Sequence, residues 1–396
     1  MSDVNLLYTD VEDSLRSTVR DLLGSRCPAD AVIAMYDGDR SVVGPLWRSL
    51  AADLGLAGLL VPESLGGAGA SAREAAVVLE ELGGFVAPVP FLTSSVVATA
   101  VLVAGRGAVP GAASVHVDDR AVGSAESGTP SVLLDGHGPG LLGALASGER
   151  TATLAVPLSA SAMSFPVVAT SAGDALTGKV TSVAGALDAD VLLVPVAVEG
   201  GLEVHAVEAS AAQMAPVTSL DMSRQLADVS FDGAASELVV PAEAGDQALR
   251  TALGLGAALL ASEQVGIAQW CLDSTVAYLK ERRQFGRVVG GFQALKHRLA
   301  DLYALVEQAR AAARYAAATV AADDSDREVA GSLAQAYCSG VAVKAAEECV
   351  QLLGGIGMTW EHPAHLYLKR AKADQIALGT PEAHRTRLGD LVDLPA

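Results

Sequence analysis

The sequence predicts an α+β fold in three consecutive parts: a helical part over residues 1–125, an antiparallel β part over 126–243, and a C-terminal four-helix bundle over 244–396. Three observations carry this. In the first and last thirds, apolar residues recur at spacings of three and four. In the middle third, short β-branched runs alternate with Gly, Asp and Ser. Across all 396 residues, 51% are apolar and only 18% charged, enough for a large core and too apolar for a disordered chain.

Helix comes first. Val11, Leu15, Val19 and Leu22/Leu23 form a stripe over 10–23, and a second helix is expected over 45–54. LLVPESLGGAGAS (59–71) reads as a Gly-rich loop. Ser71 then caps a helix running through Leu82, with Glu74 completing a capping box. Pro88 and Pro90 close it, and a small-residue helix follows. The strand runs are SVLLDG, TATLAVPLS, FPVVATS, VTSVAGALDADVLLVPVAV, LEVHAVEAS and ADVSFDG. Beyond 244 a long helix covers 248–281. Leu295, Leu299, Leu302 and Val306 make a bundle seam. A helix over 326–353 puts Leu333, Tyr337, Val341 and Ala345 on one face. GGIG (354–357) stops it, and a last short helix begins near Pro381.

Composition excludes several function classes. The net charge of −19 opposes binding to nucleic acid or anionic membranes. No apolar run reaches membrane-spanning length; the longest, 252–261 and 191–198, read as core. The acidic N-terminus lacks a signal layout, so a cytoplasmic protein is expected. Cys27, Cys271, Cys338 and Cys349 are scattered and read as buried thiols.

Two segments are more specific: ERRQFGRVVGGFQALKHRLADL (281–302) and VQLLGGIGMTWEHPAHLYLKRAKADQIALGT (350–380). With VPESLGGAG and EELGG, they resemble the acyl-CoA dehydrogenase family. TWEHPAHLYLKRA resembles a bacterial branch that builds heteromeric enzymes from paired, unequal subunits. The resemblance covers nearly the whole chain. It implies the family fold, FAD, an acyl-CoA substrate, and α,β-desaturation in which a glutamate removes the α-proton. It also implies site residues. Arg282, Gln284 and Phe285 match positions that reach the FAD of a neighbouring subunit, and Gln293 matches the next contact. Gln351, Gly354 and Gly355 match the adenosine-side segment, and Thr380 matches a threonine that touches FAD. On composition alone, these same residues would be a solvated helix end, a helix stop and an N-cap.

The sequence also departs from the family. The two positions where the family places its base are Leu378 and Gly256, and neither residue can take a proton. The stretch LAVPLSASAMSF (154–165) lacks the family's acid and Gly-Ser-Asp. Ser182-Val183-Ala184 stands where a Trp-Ile-Thr element packs near the flavin ring, although LTGK and DADVLLVPV keep the scaffold recognisable. Glu263, seven residues after Gly256 on the same helix face, is a distant substitute base; pairing with an Arg is its plainer role. Glu361, His362 and His365 do not read as a metal site, and Glu382 and His384 are expected at the surface. The losses fall on the half-site that one subunit supplies to its own FAD; the contacts reaching a neighbour's FAD remain. The leading expectation is therefore a non-catalytic partner in a heterodimer or heterotetramer. A self-sufficient homo-oligomeric flavoenzyme with a displaced base, and a flavin-free scaffold on the same fold, stay open.

Overall fold

The computed structural model describes residues 4–112 and 140–394. The predicted run SVLLDG and the 125/126 boundary lie outside the described residues.

The N-terminal part comprises α1 (Asp10–Arg26), α2 (Ala29–Ala34), α3 (Val43–Arg48), α4 (Ala72–Phe85), α5 (Thr99–Ala104) and α6 (Leu141–Ala146). The capping box at α4 is present: the Ser71 hydroxyl accepts from Arg73 N at 3.2 Å, and Glu74 accepts from Ser71 N at 2.9 Å. Two predictions here need correction. Val11 faces solvent, and the inward position next to it belongs to Glu12, which Arg73 neutralises at 2.8 Å. The helix expected over 45–54 is α3 followed by a π-helical turn, and the helix after Pro90 likewise begins as a π-turn, Phe91–Ala98, before α5.

The middle part holds two four-stranded sheets. The strands are β1 (Ala152–Leu154), β2 (Thr170–Ala172), β3 (Ala175–Ala184), β4 (Val191–Val198), β5 (Gly201–Glu208), β6 (Gln213–Val217), β7 (Leu226–Ala235) and β8 (Glu237–Val240). One sheet has the order β1-β4-β5-β8, the other β2-β3-β7-β6. The pairing is antiparallel throughout except β1 with β4, which is parallel; this is a departure from the all-antiparallel expectation. β4 explains its own unbroken apolar run. Val191 and Leu193 face the main helical core, while Leu192, Val194 and Val196 face a second core between the sheets.

The C-terminal part comprises α7 (Ala242–Glu281), the two-residue strands β9 (Arg283–Gln284) and β10 (Arg287–Val288), α8 (Gln293–Ala321), α9 (Arg327–Leu353), α10 (Ala364–Ile376) and α11 (Pro381–Leu391). Helix α10 was not foreseen, because its apolar face is broken by Lys369, Arg370, Lys372 and Asp374. Leu333 is exposed and off the α9 core face, whereas Val341 and Ala345 are on it. By length and composition α7 is apolar enough to cross a membrane, contrary to the run-length reading, but 89% of its most apolar 18-residue window is buried inside the fold. Small residues allow this burial on all sides. A Cβ at Gly266 would stand 1.9 Å from Glu80 O, and one at Gly83 would stand 2.1 Å from Glu263 O, so α4 and α7 meet backbone to backbone.

Candidate active-site remnant and outward cofactor arm

The residues of interest fall into two sets, one buried and one exposed. The first is closed. Gly256 lies midway along α7, and Leu378 lies in the turn between α10 and α11. A Cβ built at 256 would stand 3.0 Å from Leu378 Cδ1 and 2.9 Å from Val97 Cγ2. The two positions where the base was sought therefore share one place in space, and apolar side chains fill it. Leu378 takes a left-handed φ of 55° and donates its N–H to Leu158 O at 2.9 Å. The 154–165 segment closes the same wall, since Leu158 N donates to Ser182 O at 3.0 Å and Pro157 bridges to Val183.

His384 belongs to this wall rather than to the surface, which corrects the expectation. It is 3% exposed, its Nε2 lies 3.0 Å from Leu378 O, and burial lowers its pKa. A Cβ on Gly379 would strike its ring, so only glycine fits beside it. Glu382, by contrast, is exposed.

Glu263 is not available as a base. It is 1% exposed and gripped by Arg224 at 2.7 and 2.6 Å and by Arg370 at 2.6 Å. Burial alone would raise its pKa, but the two guanidiniums outweigh that and hold it low. Arg370, 2% exposed, also pairs with Asp221 at 2.5 Å, and Arg224 also pairs with Asp374. The cluster thus holds three carboxyls against two guanidiniums. It becomes neutral when one carboxyl keeps a proton, and Asp374 is the one: burial pushes it up to about 8, and its Oδ2 has no partner. This cluster ties the β6–β7 loop to α7 and α10. Sequence reading missed its members outside α7, whose only signal was charge (DMSRQ, KRAKAD) beside apolar strand and helix. Arg224, Arg370 and Ser223 also line a cleft of about 400 Å³, counting its mouth, with Pro88–Thr93 opposite.

The second cluster is open. Arg282 caps α7, and its N–H donates to Tyr278 O at 2.9 Å. Gln284 then pairs with Arg287 across a two-residue hairpin whose tip is Phe285 (φ 53°) and Gly286 (φ 73°). Phe285 is 88% exposed and meets the Phe292 ring edge-on, with centroids 6.1 Å apart. Gln293 opens α8, after a 3₁₀ turn over Val289–Gly291 that follows the hairpin. Gln351 lies at the end of α9, and Gly354 (φ 66°) stops the helix as expected. Gly354 and Gly355 are exposed, with open space where a Cβ would stand. Among the described residues, the side chains of Arg282, Gln284, Gln293 and Gln351 are exposed and meet no protein partner. Thr380 is the N-cap of α11, accepting from Ala383 N at 3.3 Å. The structure thus places these residues on separate segments, the hairpin with the start of α8, the end of α9, and the start of α11.

Elsewhere, His365 packs on Trp360 with centroids 4.6 Å apart; burial, then the Lys369 charge, lowers its pKa to about 4. Among the described residues no group of three or more His, Cys, Asp or Glu side chains is arranged to hold a metal. All four cysteines are free and buried.

Comparison with known proteins decides the family. The acyl-CoA dehydrogenase N-terminal domain matches residues 9–109, and the acyl-CoA dehydrogenase C-terminal domain matches residues 243–392. The chain belongs to the acyl-CoA dehydrogenase family. It is 32% identical to the acyl-CoA dehydrogenase IpdE2 of Mycolicibacterium smegmatis, over 96% of this chain and 98% of that one. Its fold is similar to the ChsE4–ChsE5 complex of Mycobacterium tuberculosis (TM-score 0.80, 27% identity, 99% and 100% of the two chains covered). It is also similar to a variant of the Tcur3481–Tcur3483 steroid acyl-CoA dehydrogenase (TM-score 0.77, 28% identity, 97% and 98% covered). Oxidoreductase chemistry on acyl-CoA and FAD as general cofactor come with this family, and so does the three-part fold.

Whether the residues suit FAD depends on the half considered. On the β-domain side, Leu378 and Gly256 pack on each other and on Val97, and Ser182-Val183-Ala184 offers no aromatic or threonine side chain, so this half does not fit a flavin ring. The exposed set offers a guanidinium, three amides and exposed glycine backbone, chemistry that suits the phosphates and polar edges of a dinucleotide.

Proposed function

We propose that this chain is the non-catalytic subunit of a heteromeric, FAD-dependent acyl-CoA dehydrogenase, completing the FAD site of a related catalytic subunit. One observation carries the proposal: both base positions are filled by Gly256 and Leu378 packed on each other, while the outward arm keeps its polar side chains and exposes them. The similar solved structures named above are each a two-component complex by title, which supports a related partner; one is a steroid enzyme, which supports a bulky acyl group.

Bound between the subunits, FAD would accept the hydride that leaves the β-carbon of the acyl-CoA. This chain's residues bind and orient. Arg282 offers a charge-assisted bond suited to a pyrophosphate. Phe285 presents a flat apolar face, and Gln284, Gln293 and Gln351 present amides. Gly354 and Gly355 let backbone approach closely, and the Thr380 hydroxyl, which accepts from its own helix, keeps its proton free to donate. No group here removes the α-proton; that base belongs to the partner. Glu263 does not serve as a displaced base, since both of its oxygens are held by arginine.

The test is acyl-CoA oxidation by the co-expressed pair. Removing the partner's glutamate base should abolish turnover, and no carboxylate substitution in this chain should matter beyond its effect on folding. Turnover by this chain alone would overturn the proposal.

A further inference from the structure

The hairpin between α7 and α8 carries more positive charge than a cofactor uses. Residues 280–298 hold six Lys or Arg against one carboxylate, Glu281, in a chain whose net charge is −19. Arg298 pairs with Glu348 of α9 at 2.9 Å. The other five, Lys280, Arg282, Arg283, Arg287 and Lys296, are exposed, and among the described residues no carboxylate pairs with them. Elsewhere the chain matches its cations: Arg16, Arg73, Arg224, Arg310 and Arg370 each meet a carboxylate. Like charges gathered on one hairpin repel each other, and an opposing anionic surface relieves that repulsion.

The strand register divides these charges into two sets. Gln284 pairs with Arg287, and Arg283 with Val288. Successive residues of a strand point to opposite faces, so Arg283 stands on one face of the hairpin and Arg287 on the other. The Arg287 guanidinium lies 3.7 Å from the centre of the Phe292 ring. Arg282, two residues before Gln284 on extended backbone, shares the Arg287 face. A diphosphate met by Arg282 and Gln284 has two negative charges and lies on that face. Arg283 on the opposite face, and Lys280 and Lys296 in the flanking helix turns, are left unmatched. Between the two faces, at the tip, stands the 88% exposed ring of Phe285. An aromatic anchor on a projecting hairpin with Arg and Lys around it is the layout of a protein contact, an apolar centre inside a polar rim.

We infer that the surface of the related subunit that receives this hairpin is acidic, with carboxylates opposite Lys280, Arg283 and Lys296, and that these charge pairs hold the two chains together independently of flavin. The identity of the partner rests on the function proposed above; the charge count and the register are separate evidence. Charges at the rim of a contact set its encounter rate and its salt dependence.

The test is the dissociation constant of the co-expressed complex, followed by mass photometry on dilution at about 50 and about 300 mM NaCl, between which exposed charges become largely screened. The wild-type complex should weaken at least about tenfold with the added salt. Arg283→Glu combined with Lys296→Glu should weaken it at least about tenfold at the lower salt and remove most of the salt dependence, while the pairs that remain keep about one FAD each. Arg283→Gln combined with Lys296→Gln, which removes the charges without reversing them, should show a smaller loss in the same direction. A charge-reversed complex as tight as wild type, or a wild-type complex indifferent to salt, would overturn the inference and leave the partner reading standing. Flavin loss at unchanged affinity would also overturn it, because the two residues would then belong to the cofactor contact. A wild-type chain that forms no complex with a related subunit would overturn both.

Discussion

The turn at Leu378 and the hairpin at Phe285 both hold a bulky apolar residue at positive φ, 55° and 53°, and their surroundings are opposite. Leu378 is buried on Gly256 and Val97, with its backbone tied to Leu158 and His384. Phe285 is 88% exposed and has one ring-edge neighbour. A left-handed backbone costs a non-Gly residue about 1–2 kcal/mol. At Leu378 burial offsets that cost within the chain. At Phe285 the hairpin that pairs Gln284 with Arg287 sets the backbone, and the side chain is left in solvent. The comparison separates a region whose contacts are complete from one whose contacts are not.

The largest expected effect tests the closed region. Arg370→Met leaves Asp221 and Glu263 buried with one guanidinium fewer, and should cost about 3–5 kcal/mol in urea unfolding. A loss under 1 kcal/mol would mean that the cluster is not the fastening between the β domain and α7. Next comes an attempt to reopen the site. Gly256→Glu should destabilise by about 1–3 kcal/mol through overpacking on Val97 and Leu378, with no gain of activity in the chain alone.

The open region should behave differently. Arg282→Met and Phe285→Gly should each change the unfolding free energy of the isolated chain by no more than about 0.5–1 kcal/mol, as expected for exposed positions. Both should weaken flavin retention in the complex at least tenfold. Stability losses in the isolated chain without flavin loss would reverse the comparison.

Asp374 sharpens it through pH. In the folded chain it keeps its proton up to about pH 8, whereas unfolded it releases near 3.8. Between those values the folded state binds the extra proton, so this group's stabilising contribution is complete at the acidic end and is lost as pH rises towards 8. Asp374→Asn should flatten that dependence in a pH series of chemical unfolding. The smallest effect is local: Ser71→Ala should cost about 1 kcal/mol by removing a helix cap, and should leave flavin retention unchanged.

Much of this was legible in the sequence because it is local. The capping box at Ser71 and Glu74 and the glycine stop at Gly354 each depend on neighbours in the chain. The vacancy of both base positions was legible residue by residue. That Gly256 and Leu378 touch was not, because it depends on how α7 meets a turn more than a hundred residues later. The ion cluster was hidden for the same reason: Asp221 and Arg224 come from a β-domain loop, Glu263 from α7, and Arg370 and Asp374 from α10. Helix α10 was hard to see because these buried charges interrupt its apolar pattern. His384 looked like a surface residue because its neighbours Glu382, Arg385 and Arg387 are; its burial is set by the contact with Gly379 and the Leu378 carbonyl.

The most direct measurement is the flavin stoichiometry, by visible absorbance, of this chain purified alone and co-purified with its related subunit. The account predicts a colourless chain alone and about one FAD per pair, with the flavin lost on Arg282→Met in this chain. One FAD per chain in the isolated protein, unaffected by Arg282→Met, would contradict it.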